Sequence, residues 1–261
     1  MGDALRNCRP RAGVRGRISQ ESFAMFIHKK ELLHPVHVTS PDPKFAEFLL
    51  DAFGGATGEL KASLQYFTQA QHTDDPQLRD MLMDIATEEM GHLEIVAHLI
   101  EAHSSGAVEE KAFESTLFSI RGKGPHLLDS QGTTWTGAYV DEGASPVRDL
   151  RADIAAEAGA LASYEAMIPK SPDEGTRKAL IHLATREVTH SRMFMEALKS
   201  MDKLDDPMFG DLQPDDTVNL VFNLSQTENP KKDGAAPWLL ANSKLEYIAD
   251  PEERRRTAKA Q

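Results

Sequence analysis

Ala86-Thr87-Glu88-Glu89-Met90-Gly91-His92 decides the fold, together with a second copy, Ala184-Thr185-Arg186-Glu187-Val188-Thr189-His190. Both stretches contain Glu-x-x-His. Residues three apart on an α-helix lie about 60° apart around the axis and one turn apart along it, so the two side chains share a face. A carboxylate and an imidazole so placed can hold the same metal ion.

The repeat extends outward from the motif. Glu59 precedes Glu89 by the interval that separates Glu157 from Glu187, and Tyr66 follows Glu59 as Tyr164 follows Glu157. All of these pairs share one offset of 98 positions. A single Glu-x-x-His is weak evidence, because glutamate is common on helices. Two copies, each with a Glu and a Tyr at matching distances, are hard to obtain from scattered surface carboxylates.

The surrounding chain has helical periodicity. Lys44 to Phe53 carries apolar residues at helical spacing and stops at Gly54-Gly55. Four longer segments follow. The first, roughly 58–72, has the inward stripe Glu59, Ala62, Ser63, Tyr66, Ala70. The second opens at Pro76, a helix-start proline, with Leu78, Leu82, Ile85, Glu89, His92, Val96, Leu99. The third, roughly 146–168, has Leu150, Ile154, Glu157, Leu161, Tyr164, Ile168. The fourth starts near Pro172, with Leu180, Leu183, Glu187, His190, Phe194, Ala197. These are amphipathic helix spacings.

Glu59, Glu89, His92, Glu157, Glu187 and His190 all interrupt the apolar stripes. Ionised carboxylates in a bundle core are costly unless paired or bound to a cation. Four of them facing one interior repel each other, and one or two divalent cations would remove that repulsion. The stripes supply no Lys or Arg for salt bridges, and Arg186, beside Glu187, is expected to point elsewhere. About 40 residues separate the second and third segments, enough to carry the chain from one end of a bundle to the other. The expected fold is therefore all-α: a ferritin-like four-helix bundle of two helical hairpins joined by one long crossover.

The chain of 261 residues, 40% hydrophobic, can bury a sizeable core. A net charge of −12 argues against a basic nucleic-acid surface or attachment to an anionic membrane. No apolar run approaches the ~18 residues a membrane helix needs. Cys8 is the one cysteine, so no internal disulfide forms and a reducing, cytoplasmic setting is expected. Residues 1–24 are arginine-rich without the apolar core of a secretory signal and read as a disordered leader, with Met25 opening the folded protein. Residues 25–205 form the bundle with an irregular N-terminal arm over 26–38. Residues 206–261 form a C-terminal arm and tail, with a short strand or arm over Thr217–Leu224 and a solvated end at Arg254-Arg255-Arg256.

One Glu from each of two helices and Glu-x-x-His from each of two others, here alternating along the chain, form the ligand inventory of dinuclear carboxylate bundles. Hard oxygens with one imidazole per metal suit Mn or Fe, and the ligand set does not choose between them. From about Met25 to Leu224 the sequence resembles the manganese catalases. The likeness rests on Gly54-Gly55-x-x-Gly58-Glu59, on Asp84 to Glu94 around the first Glu-x-x-His, on Trp135-x-x-x-Tyr139-Val140, and on Thr185-Arg186-Glu187-x-x-His190. Ferritins and rubrerythrins share the spacing but lack the glycine run and the Trp-to-Tyr loop.

The resemblance implies disproportionation of hydrogen peroxide to water and dioxygen at two manganese ions cycling between Mn(II)/Mn(II) and Mn(III)/Mn(III). It implies that Glu59 and His92 bind one ion, Glu157 and His190 the other, with Glu89 bridging. Glu187 would be the proton acceptor and donor beside the open site, and Tyr66 a hydrogen-bonding neighbour. The Lys or Arg that some relatives carry near the second glutamate is expected to be absent, since the neighbours are Ala156 and Tyr164. A calcium ion on Asp80, Asp84, Asn223 and Ser225 and a homohexameric assembly are also implied. The rival expectations are a di-iron peroxidase or oxidase on the same site, and a weakly active structural coat protein.

Overall fold

The computed structural model describes residues 28–105, 116–143, 145–208, 213–224, 244–248 and 250–252. The expected leader, Met25, Ser225 and the terminal arginines lie outside the described residues. From His28 to Asp42 the chain has no regular structure. Its backbone is tied down by Asp173, whose carboxylate accepts from the amides of Thr39 and Ser40 at 2.7 and 2.9 Å.

Helix α1 spans Pro43–Gly54. Asp42 caps it by accepting from the amides of Lys44 and Phe45, and Pro43 occupies the first helical position, where its missing N–H costs nothing. The glycine run then turns the chain tightly into α2, Glu59–His72. A β-carbon at Gly58 would come within 2.7 Å of the Ala52 carbonyl oxygen, so the end of α1 and the start of α2 approach closely only because that carbon is absent. This turn delivers Glu59 buried at the start of α2.

Helix α3, Pro76–Ser104, is capped by Asp75 and packs along α2 and α1. After the connection come α5, Pro146–Met167, and α6, Glu174–Ser200, with the short α4, Thr116–Arg121, within the connection. The expected segments therefore all form helices, with boundaries shifted by a residue or two. An apolar cluster including Leu49, Leu50, Ile95, Leu99, Leu180 and Leu183 joins α1, α3 and α6. Each such side chain contributes about 1.5–3 kcal/mol on burial. His103 is also core, bridging the amide of Asp42 and the hydroxyl of Thr176.

The described part of the connection is anchored by hydrogen bonds. Ser130 donates to the Asp51 carboxylate at 2.8 and 2.9 Å through its amide and hydroxyl. Leu128 and Thr134 form an antiparallel bridge. Past the 3-10 turn at Gly137–Tyr139, the backbone of Asp141 is gripped from α2: its amide donates to Gln65 and its carbonyl accepts from Gln69.

On α5 the inward stripe differs from the expected one. Asp153, Ala160 and Met167 are buried, while Ile154, Leu161 and Ile168 are only half-buried. Polar Asp153 takes an inward position with Oδ1 accepting from both Gln65 and Gln69, contacts that an apolarity pattern does not show.

The chain divides into two compact units after Phe194. In the second unit, β1, Leu220–Phe222, pairs in parallel with β2, Glu246–Ile248. The strand expected over Thr217–Leu224 is thus confined to three residues. Part of the stretch expected to be tail is a strand, because its pairing is non-local and leaves no pattern in so short a segment.

Candidate metal centre

Four helices bring the predicted ligands together. Glu59 is in the first turn of α2, Glu89 and His92 are one turn apart on α3, Glu157 is midway along α5, and Glu187 and His190 are one turn apart on α6. All six are at most 1% exposed. They form two overlapping groups, Glu59, Glu89, His92, Glu187 and Glu89, Glu157, Glu187, His190, each offering ligand atoms within 4.8 Å of one another. Glu89 and Glu187 belong to both groups.

The two histidines are repeat counterparts, and their rings stack with centroids 5.7 Å apart. Each turns Nδ1 toward the glutamates. Nδ1 of His92 is 2.8 Å from Glu89 Oε2 and 3.9 Å from Glu59; Nδ1 of His190 is 2.7 Å from Glu89 Oε1 and 3.9 Å from Glu157. The close approach of His190 to Glu89 is not aligned as a hydrogen bond. Nδ1 of His190, Glu59 Oε2, Glu89 Oε1, Glu157 Oε2 and both oxygens of Glu187 have no hydrogen-bond partner. Buried polar atoms are normally paired, so this concentration of unpaired donors around one point fits a cation-binding cage. The donor set, carboxylate oxygens with one imidazole nitrogen per ion, suits manganese or iron.

The tyrosines cross between the halves. Tyr66 of the first half donates to Glu157 of the second at 2.5 Å, and Tyr164 of the second donates to Glu59 of the first. Both are fully buried, and burial with carboxylates nearby raises both phenols well above their ordinary range, so they remain donors. Tyr164 was not among the expected site residues, although the repeat offset already marked it as the counterpart of Tyr66.

The carboxylates differ electrostatically. Burial raises Glu59, Glu157 and Glu187 above the usual range; for Glu187 the charge of Glu59 adds to it. Burial acts the same way on Glu89, but the close imidazoles of His190 and His92 hold it well below. Burial opposes charge on His92, yet its contacts with Glu88 and Glu89 push it up to about 10.

Arg186, as expected, pairs with none of the four core carboxylates: Nε lies 2.5 Å and Nη2 3.3 Å from the carboxylate of Glu88, behind the histidines. One expectation is corrected. The helices supply a buried lysine. Lys61, only 7% exposed on α2, stands near Asp153, Asp141 and Glu157. A cation therefore does lie near the second glutamate, brought from another helix rather than from the Ala156 and Tyr164 neighbourhood. Its signal was hidden because a lysine beside an apolar stripe reads as solvated.

Asp80 and Asp84 lie exposed on α3, and Asn223 belongs to the second compact unit, its amide donating to the Ile248 carbonyl. Ser225 lies outside the described residues. No described helix is long and apolar enough to cross a membrane.

Comparison with known proteins agrees with this geometry. Wild-type KatB, a manganese catalase from Anabaena, superimposes with a TM-score of 0.79 at 52% identity, over 87% of this chain and 100% of that one. The "Probable manganese catalase" of Clostridium acetobutylicum is 36% identical over 182 residues, 68% of this chain and 81% of that protein. Protein CotJC of Bacillus subtilis is 34% identical, covering 67% of this chain and 94% of its own length. The fold is thereby the ferritin-like one of the Anabaena protein. The family model for manganese containing catalase matches residues 25–257, and with that the chain belongs to the manganese catalase family.

Proposed function

We propose that this protein disproportionates hydrogen peroxide to water and dioxygen at a pair of manganese ions. One observation carries the reading: a fully buried set of carboxylate and imidazole atoms, converging from four helices and left without hydrogen-bond partners. Glu59 and His92 would hold one ion, Glu157 and His190 the other, and Glu89, which reaches both histidines, would serve both. When bound, the two ions would accept two electrons from one peroxide and pass them to another by changing one unit each, and would act as Lewis acids toward peroxide.

The protein's own groups handle orientation and protons. Tyr164 and Tyr66 hold Glu59 and Glu157 by one oxygen each, leaving the other oxygen of each carboxylate for a metal. Glu187 would take one of the two protons that leave the peroxide oxidised to dioxygen and return it to the peroxide reduced to water. Its two unpaired oxygens and its raised proton affinity, caused by burial and then by Glu59, support that role.

Elemental analysis paired with an oxygen electrode on one preparation tests the reading. About two manganese per chain with oxygen release supports it; iron with no oxygen release favours a di-iron peroxidase or oxidase. Full metal loading with negligible turnover favours a structural coat-type relative. The resemblance also supports a homohexamer in the cytoplasm, and sedimentation of the purified chain tests its size.

A further inference from the structure

We propose that Glu88 is a positioning residue shared by both histidines of the centre, and that Arg186 holds it in place. The proposal rests on the dimanganese reading.

The histidines present one nitrogen to the interior and the other to the outside. Nδ1 of each faces the cluster of glutamates. Nε2 of His190 lies 3.2 Å from Glu88 Oε2, and Nε2 of His92 lies 3.5 Å from Glu88 Oε1. One carboxylate therefore stands behind both rings, with one oxygen for each. Both are charge contacts rather than aligned hydrogen bonds, and neither Nε2 has another partner. An imidazole that gives Nδ1 to a metal keeps its proton on Nε2. A buried N–H without an acceptor is destabilising. Second-sphere carboxylates commonly answer that need and fix the ring orientation.

Arg186 supplies the second half of the argument. Its guanidinium takes both oxygens of Glu88. A forked arginine–carboxylate contact fixes the plane of the carboxylate, not only its position. The pair also occupies matched places in the repeat: Glu88 and Arg186 are 98 positions apart, the same offset that relates the ligands. Counterpart positions meet near the relation that exchanges the halves, as the two histidine rings do. Identical charges there would repel. The two copies differ at this place, one glutamate and one arginine, and the difference makes a bridge across α3 and α6.

Location argues against a bridge that only ties two helices. Glu88 is 28% exposed on its outer side, where a groove of about 780 Å³ lined by Leu33, Met90, Gly91 and Leu93 opens. An exposed ion pair contributes little to stability wherever it lies on the surface. This one lies against the outer nitrogens of both candidate ligands.

The test uses Glu88→Ala, Glu88→Gln and Arg186→Met in the full chain. Manganese(II) affinity is measured by chelator competition, the spin-coupled manganese pair by electron paramagnetic resonance, and unfolding on metal-free protein. Glu88→Ala should weaken manganese binding roughly 10–100-fold and alter the spectrum of the pair. Glu88→Gln, the same shape with an acceptor oxygen, should recover part of that loss. Arg186→Met should weaken manganese binding less than Glu88→Ala does. The proposal is overturned if Glu88→Ala and Glu88→Gln bind manganese within twofold of wild type while Glu88→Ala and Arg186→Met lower metal-free stability equally. If wild type itself binds no manganese pair, the dimanganese reading falls first, and the outcome is distinct.

Discussion

Glu89 in the first half of the molecule approaches His92 at 2.8 Å and His190 at 2.7 Å. Glu187, its counterpart in the second half, has no hydrogen-bond partner at either oxygen and comes no nearer than 3.8 Å to His92 Nδ1. The two residues have the same place on their helices and the same burial. Their surroundings differ: two imidazoles lower the proton affinity of Glu89, while burial and neighbouring carboxylates raise that of Glu187. On the proposed reading, the first carboxylate would bridge the metals and the second would carry a proton, so that the equivalence of the halves builds the cage and their departures from it divide the labour.

The largest effect should come from exchanging that division. Glu89→Ala should abolish loading of the pair, a greater loss than the roughly 10–100-fold typical of an outer-sphere change. Glu187→Gln should retain both ions and lose turnover about 10²–10⁴-fold. Metal content and oxygen release on the same samples check both; loss of metal in Glu187→Gln would make it a ligand and erase the distinction.

The crossed tyrosines sharpen the comparison in the other direction, because there the halves agree. Tyr66→Phe and Tyr164→Phe should each weaken manganese affinity or activity by about 10–100-fold, and to a similar degree. Unequal losses would mean that Glu157 and Glu59 are not equivalent. Paired titrations against a chelator measure this.

A smaller effect lies where one half has no counterpart. Asp153 is buried on α5, and the repeat places Gly55 opposite it in the first half. Burial pushes its carboxyl up to about 8 from an ordinary 3.8, against the hydrogen bonds of Gln65 and Gln69. Between these values the folded chain holds a proton that the unfolded chain releases. Its contribution to stability therefore falls as pH rises from about 4 to about 8. In metal-free protein, Asp153→Asn should flatten the pH dependence of the unfolding midpoint across that window. Parallel slopes for the two proteins would refute it.

The smallest expected effect concerns the calcium ion implied by family resemblance. Asp80 and Asp84 are exposed and one turn apart on α3, whereas His182 stands where the second half would repeat Asp84. A calcium chelator at constant manganese should lower the thermal midpoint slightly in wild type and not in Asp84→Asn. An unchanged midpoint in wild type removes the site.

The amino-acid order alone determined the helices, the two hairpins and the six candidate ligands. Each of those is written in local spacing: a three-residue step on a helix, an apolar stripe, a proline or glycine at an end. Tertiary structure alone decided the contacts between residues far apart in sequence. It put Arg186 on Glu88, Tyr164 on Glu59, and Gln65 and Gln69 on Asp153, and it buried Lys61 near Glu157. Tyr164 already lies on an apolar stripe, but the others are polar and from their own neighbourhood read as solvated. Their partners come from other helices, and only packing the helices together supplies the charge or hydrogen bond that makes their burial favourable.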